Sequence, residues 1–221
     1  MRNAKLFAPA AICLLGCLLT TGTARAQMGM RPSPMPHGIF NAVVGSGSDY
    51  EITASDGRKT DIEYTVVGKE ANGVWLEFTT SGSGTAQMVM KVLVALDGSG
   101  TGPSRVIMQM PGRPPMEMPA QMTGRMGSQA QPTDIRGEAE DVGSESITVP
   151  AGTFTCEHYR SKDGSGDTWI SAKVNPLGVV KHQGKDSAMV LTKIVTDAKD
   201  KIVGVPQPFN PMMMMQQPPQ Q

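Results

Sequence analysis

Apolar residues recur at every second position over much of this chain, the spacing of strands half-buried in a sheet. Ile62, Tyr64 and Val66 alternate with Asp61, Glu63 and Thr65, and Val74, Leu76 and Phe78 continue the pattern past the turn Ala71-Asn72-Gly73. Met88, Met90, Val92, Val94 and Leu96 mark the next strand. Its other side carries Val89, Leu93 and Ala95, which predicts a central position covered on both faces. Val106, Met108 and Met110 follow. Later, Ile147 and Val149 lead into Pro150-Ala151-Gly152, where the fixed φ of proline suits the second position of a tight turn. Residues 154–160, 168–171, 178–183 and 188–195 complete the series, with Asp163-Gly164-Ser165-Gly166-Asp167 as a hairpin connection. The pattern predicts a mainly β protein, a single antiparallel meander of about 9–10 strands. One short N-terminal helix is expected over residues 38–44, where Ile39 and Val43 lie one turn apart and Gly45 stops the run.

Four stretches break the alternation. Arg2 and Lys5, the apolar residues 6–19 and the small-residue site Ala24-Arg25-Ala26 compose a signal peptide, residues 1–26, with cleavage after Ala26. The apolar run is too short for a transmembrane helix. Leu14-Leu15-Gly16-Cys17 also fits a bacterial lipobox, in which Cys17 would carry lipid, although Leu18 and Leu19 continue the apolar run past the cysteine. Residues 27–36 form a flexible start, 111–133 a Pro-, Met- and Gly-rich loop, and 205–221 a disordered Pro/Gln/Met tail. One β domain is therefore expected over residues 37–204.

Removing the signal takes away three basic residues and no acidic one, leaving 17 basic against 20 acidic residues, a net charge of −3. Without a basic stripe the chain is poorly suited to nucleic acid. Cys13 and Cys17 leave too, so Cys156 is the single cysteine of the mature chain, and packing alone must hold the core.

Candidate chemistry is sparse. Cys156 and His158 share a strand face, but no orienting acid or further ligand is spaced beside them, and a buried cysteine next to a rim histidine accounts for both. Gly57-Arg58-Lys59-Thr60 lacks the upstream glycine of a phosphate loop. The loop opening at Asp163 has Thr168 where a calcium loop needs glycine, and Val174 at position 12. No enzyme is expected. Methionine is the compositional outlier, with 17 residues. Met28, Met30, Met35 and His37 form a cluster of thioethers and imidazole suited to Cu(I), and Met116, Met118, Met122, Met126 and 212–215 lie in the irregular stretches. Copper is thus an alternative cofactor to none.

Val149-Pro150-Ala151-Gly152-Thr153-Phe154-x-Cys156, Trp169-x-Ser171 and Pro176-Leu177-Gly178-Val179-Val180-Lys181 resemble a group of exported bacterial domains of unknown function. These are related in fold to the lipoprotein-localisation-factor (LolA/LolB-like) half-barrels. The segment 44–52 and Pro111-Gly112-x-Pro114-Pro115-Met116-Glu117-Met118-Pro119 are similar to an acidobacterial-type branch of that group. The resemblance spans most of the mature chain and implies a curved, half-barrel-like sheet whose concave side holds an acyl chain or other hydrophobe. It brings no catalytic residues. The leading expectation is a non-enzymatic envelope protein, periplasmic or secreted, or membrane-anchored through Cys17. It would bind a lipid, lipoprotein or other apolar ligand and span no membrane after cleavage. Ile62, Tyr64, Val66, Leu76, Phe78, Met88, Met90 and Met108 are the candidate liners, and the same alternation describes plain core packing. The alternatives are a Met-rich Cu(I)-binding or redox-buffering protein and a structural envelope protein acting through its sticky tail.

Overall fold

The computed structural model describes residues 38–82, 85–96, 104–119, 134–137 and 139–210. They form one open, curved sheet of twelve strands. The strands are β1 Ser46–Ala54, β2 Lys59–Glu70, β3 Gly73–Gly82, β4 Thr85–Ala95, β5 Arg105–Gln109, β6 Met116–Glu117, β7 Ala139–Val149, β8 Gly152–Ser161, β9 Gly166–Ile170, β10 Val179–Gly184, β11 Ser187–Thr196 and β12 Gln207–Pro208. Their spatial order is β12-β6-β5-β4-β3-β2-β1-β11-β10-β9-β8-β7. Two meanders, one before and one after the central loop, are therefore joined where β1 pairs with β11. Every pairing is antiparallel except β12 with β6. Register shifts at Asp49/Tyr50, Val66/Gly68, Thr80/Gly82, Asp141/Gly143 and Val179/Lys181 add local twist and bend.

The register of β1–β6 stacks apolar side chains in rows on one face. Leu191, Tyr50, Ile62, Thr80 and Met88 form one row; Ser48, Tyr64, Phe78, Met90, Met108 and Met116 form the next; Val66, Leu76, Val92 and Val106 form a third. Most of them belong to the main hydrophobic cluster, together with Val174 and Leu177 from the loop between β9 and β10. That loop and the start of β10 are tied down by hydrogen bonds: Ser48 Oγ donates to Asn175 O (2.5 Å), Tyr50 Oη to Val179 O (2.9 Å), and the Ile39 and Asn41 amides to Leu177 O and Pro176 O (2.8 Å each).

The opposite face carries a smaller cluster, Trp75, Leu93 and Ile107, with Val67 and Ile202 packed on it. Ile202 belongs to a strap after β11. The Ala198 amide donates to Gly45 O (2.8 Å), the Lys201 amide to both Glu77 carboxyl oxygens (3.1 and 3.3 Å) and the Val203 amide to Gln109 Oε1 (2.9 Å). The Gln207 amide then reaches Pro115 O (2.9 Å), at the edge strand.

Three differences from the sequence reading have physical causes. Residues 38–44 contain no helix. Their donors are spent on the loop, since the Ile39 and Asn41 amides bond Leu177 O and Pro176 O, and a Cβ on Gly38 would lie 2.0 Å from Leu177 O. The 3-10 turn Ile135–Gly137 is the helical element among the described residues. Strand β6 falls in the segment expected as an irregular loop, where Met116 and Met118 are buried in the main cluster. Strand β12 falls in the segment expected as disordered, and Phe209 packs on that same cluster. Two-residue strands make no alternation to read, so partners decide them.

Leu76 is 0% exposed and Leu96 50%. Leu76→Ala should cost about 2–5 kcal/mol by cavity formation, whereas Leu96→Ala should stay within about 0.5 kcal/mol. Urea unfolding followed by tryptophan fluorescence checks the contrast.

Candidate functional site

Of the predicted liners, Ile62, Tyr64, Val66, Leu76, Met90 and Met108 belong to the main cluster, and Phe78 and Met88 pack against it. Burial falls off along the strands. Val66, Leu76, Val92 and Val106 are at most 1% exposed, Ile62, Met90 and Met108 are 6–7% exposed, and Phe78 and Met88 are only half-buried. Ile52, one step beyond Tyr50 on β1, and Met110, just past β5, are half-buried as well. The β9–β10 loop side is seated by Ser48, in the row of Tyr64 and Phe78, and by Tyr50, in the row of Ile62 and Met88. The shallow end presents Ile52, Phe78, Met88 and Met110.

Ile52 and Met110 were not among the candidate liners. Met110 ends the alternation Val106, Met108, Met110, and Ile52 follows Tyr50 by two, so both carried the period-two signal. Aromatic contacts order the interior of the face: Tyr50 meets Tyr64 edge-on at 5.9 Å, and Tyr64 meets Phe78 at 6.1 Å. Burial raises the Tyr50 and Tyr64 phenols well above their ordinary range, so both stay neutral. The face therefore holds aromatic and thioether surface and no charge among Tyr50, Ile62, Tyr64, Phe78, Met88, Met90 and Met108.

The other face is polar near its centre. Asp49, Asp61, Glu63, Thr79, Ser81, Gln87 and Lys201 help line a shallow groove of about 270 Å³. Burial, followed by the neighbouring Glu63, raises the Asp49 carboxyl.

Cys156 and His158 form no catalytic pair. Cys156 Sγ points to Phe154 O at 3.6 Å, and burial pushes its thiol up to about 11. His158 stacks on Trp169 at 4.5 Å, with Nδ1 3.1 Å from Glu145 and Nε2 2.8 Å from Asp167. Trp169 in turn donates to Glu145 Oε1 (2.6 Å) and lies under Lys181 Nζ at 4.8 Å. This is a cross-strand ladder over β7–β10, with each polar tip spent on a neighbour. The Asp163 loop is the β8–β9 hairpin turn: Asp163 accepts the Ser165 amide (2.8 Å), and Asp167 serves His158 and Arg160. Among the described residues no group of three His, Cys, Asp or Glu is arranged to hold a metal ion. Ala26, Cys17 and the candidate copper cluster Met28, Met30, Met35 and His37 lie outside the described residues.

The geometry defines an open curved β sheet with one continuous apolar face. No protein-family model matches the chain, and no curated protein matches its sequence. Three solved structures are similar to it at low identity. A Bacteroides fragilis protein described as exported and of YmcC-like fold has TM-score 0.33 and 17% identity, over 72% of this chain and 99% of its own. A protein described as a lipoprotein from Parabacteroides distasonis has TM-score 0.33 and 14% identity, over the same shares. MucB, in complex with MucA(peri), has TM-score 0.40 and 10% identity, over 74% of this chain and 54% of its own.

A thiol raised to about 11 has roughly a hundredfold less thiolate at neutral pH than one at 9. Cys156 in the folded protein should therefore react with a disulfide reagent such as DTNB at least about 100-fold more slowly than in 6 M guanidinium, since burial slows access as well.

Proposed function

We propose that this protein is a non-enzymatic, exported binder that holds an apolar ligand, such as a lipid acyl chain, against the shallow end of its apolar sheet face. The observation that carries this reading is the burial gradient. A face that served only as core would be closed along its length, whereas here Ile52, Phe78, Met88 and Met110 remain half-buried in continuity with the cluster. Methionine suits such a surface, because an unbranched thioether adapts to ligands of varying shape. The neutral tyrosines behind it avoid the desolvation cost that a charge would bring. The partner in this reading is a hydrophobic small molecule or the acyl end of a lipoprotein, and no cofactor is needed.

Wild-type protein purified from its native envelope should carry a retained apolar mass in native mass spectrometry, or should take up cis-parinaric acid after delipidation. Met88→Glu should weaken that uptake by at least about tenfold, because a carboxylate would be desolvated against the chain. Met88→Leu should stay within about twofold. A wild-type protein with neither retained ligand nor uptake overturns the reading.

A further inference from the structure

The strap has a hold of its own. Glu77, in the middle of β3, is 0% exposed although it lies on the face opposite the apolar rows. In its register row Gly47 and Thr65 are uncharged, and Lys91 stands beside it on β4. From above, the strap supplies Asp200 and Lys201. The Asp200 carboxyl lies within side-chain hydrogen-bonding reach of Glu77, Lys91 pairs with Asp200, and the Lys201 amide donates to Glu77. Lys201 Nζ is turned away, to Glu63 on β2 (2.7 Å) and to Thr79 (3.3 Å). Two carboxyl groups share a hydrogen bond only when one of them keeps its proton. Lys91 sits on Asp200, so the proton belongs to Glu77. Elsewhere the strap is held at Val203, whose amide donates to Gln109 Oε1 (2.9 Å) and whose carbonyl accepts from Gln109 Nε2 (3.0 Å); Ile202 is its apolar contact with Trp75, Leu93 and Ile107, and Val203 and Val205 are 74% and 84% exposed.

We propose that strap residues 200–203 form a proton-controlled latch, closed on the sheet while Glu77 is neutral and released when Glu77 ionises, so that the Trp75, Leu93 and Ile107 patch is bared. In the closed state the Glu77 hydroxyl donates to the Asp200 carboxylate. Loss of that proton sets two carboxylates against each other under the strap, with Lys91 already paired to Asp200. Release lets Glu77 reach water.

The direction follows from linkage. Burial foremost, then Asp200, raises the Glu77 carboxyl from 4.5 to about 7, against the bond from the Lys201 amide. The closed state therefore binds more protons than the open one, and closure is fully favoured below 4.5 and weakens as pH rises to about 7. Asp200 moves the opposite way. Burial works to raise it, but bonds from Lys91 and the Ile202 amide outweigh this and keep it ionised.

Hydrogen exchange of the full chain, corrected for the intrinsic pH dependence of amide exchange, tests the latch. Between pH 5 and pH 7.5 a peptide covering 199–205 should exchange at least about tenfold faster, while a β3–β4 core peptide keeps its protection. Glu77→Gln, whose amide donates to Asp200 and still accepts from Lys201, should remove the pH response. Asp200→Asn, which leaves Glu77 no carboxylate neighbour, should shrink it. Equal corrected protection of the strap at both pH values overturns the proposal. A pH response of the same size in the core peptide, or an undiminished response in both variants, does so too.

Discussion

A wide sheet with apolar side chains on both faces must cover both, and this chain has no helical layer among its described residues to do so. Irregular backbone takes that role. On one face the β9–β10 loop, carrying Val174 and Leu177, is pulled onto the rows by Ser48 and Tyr50. On the other, the strap brings Ile202 over Trp75. Remove either covering and apolar rows meet water at about 25 cal/mol per Å². A few long-range hydrogen bonds therefore place the irregular segments that cover the paired strands.

The two coverings differ in chemistry. The loop closes on itself through Ser171–Gly178 and Gly178–Val174 backbone bonds, and its anchors are neutral donors that do not change with pH. The strap is anchored by carboxyl groups, lysines and a glutamine, and contributes one well-packed side chain. Regions with few buried apolar contacts open first. Opening of the described sheet is thus expected on the strap's face, which leaves the apolar rows and their shallow end undisturbed.

Strands were legible where burial is one-sided and runs are long. Ile62, Tyr64 and Val66 read as they fold, as do Val92 and Leu93 on opposite faces of β4, where Leu93 packs under Trp75 and Val92 in the main cluster. Residues 38–44 did not, because Ile39 and Val43 mimic a helical period while tertiary hydrogen bonds hold the backbone otherwise. Met116, Met118 and Phe209 sit in Pro-rich sequence and look solvent-facing by composition, yet the sheet edge buries the first two and packs the third. Glu77 was the hardest to foresee. Its place in the alternation Val74, Leu76, Phe78 makes it an outward polar residue, and only a segment more than a hundred positions later covers it.

The same limit applies to the candidate site. Period two separates the faces, and all eight liners were read from it, but the period carries no information on how far along a strand the covering extends. The covering is placed by Ser48 bonding Asn175 O and Tyr50 bonding Val179 O, contacts 127 and 129 residues apart in sequence. Val66, Leu76, Val92 and Val106 became core, while Phe78, in the row of Ser48, and Met88, in the row of the fully buried Tyr50, kept exposed surface. Fully buried and half-buried apolar side chains are thus one continuous surface here.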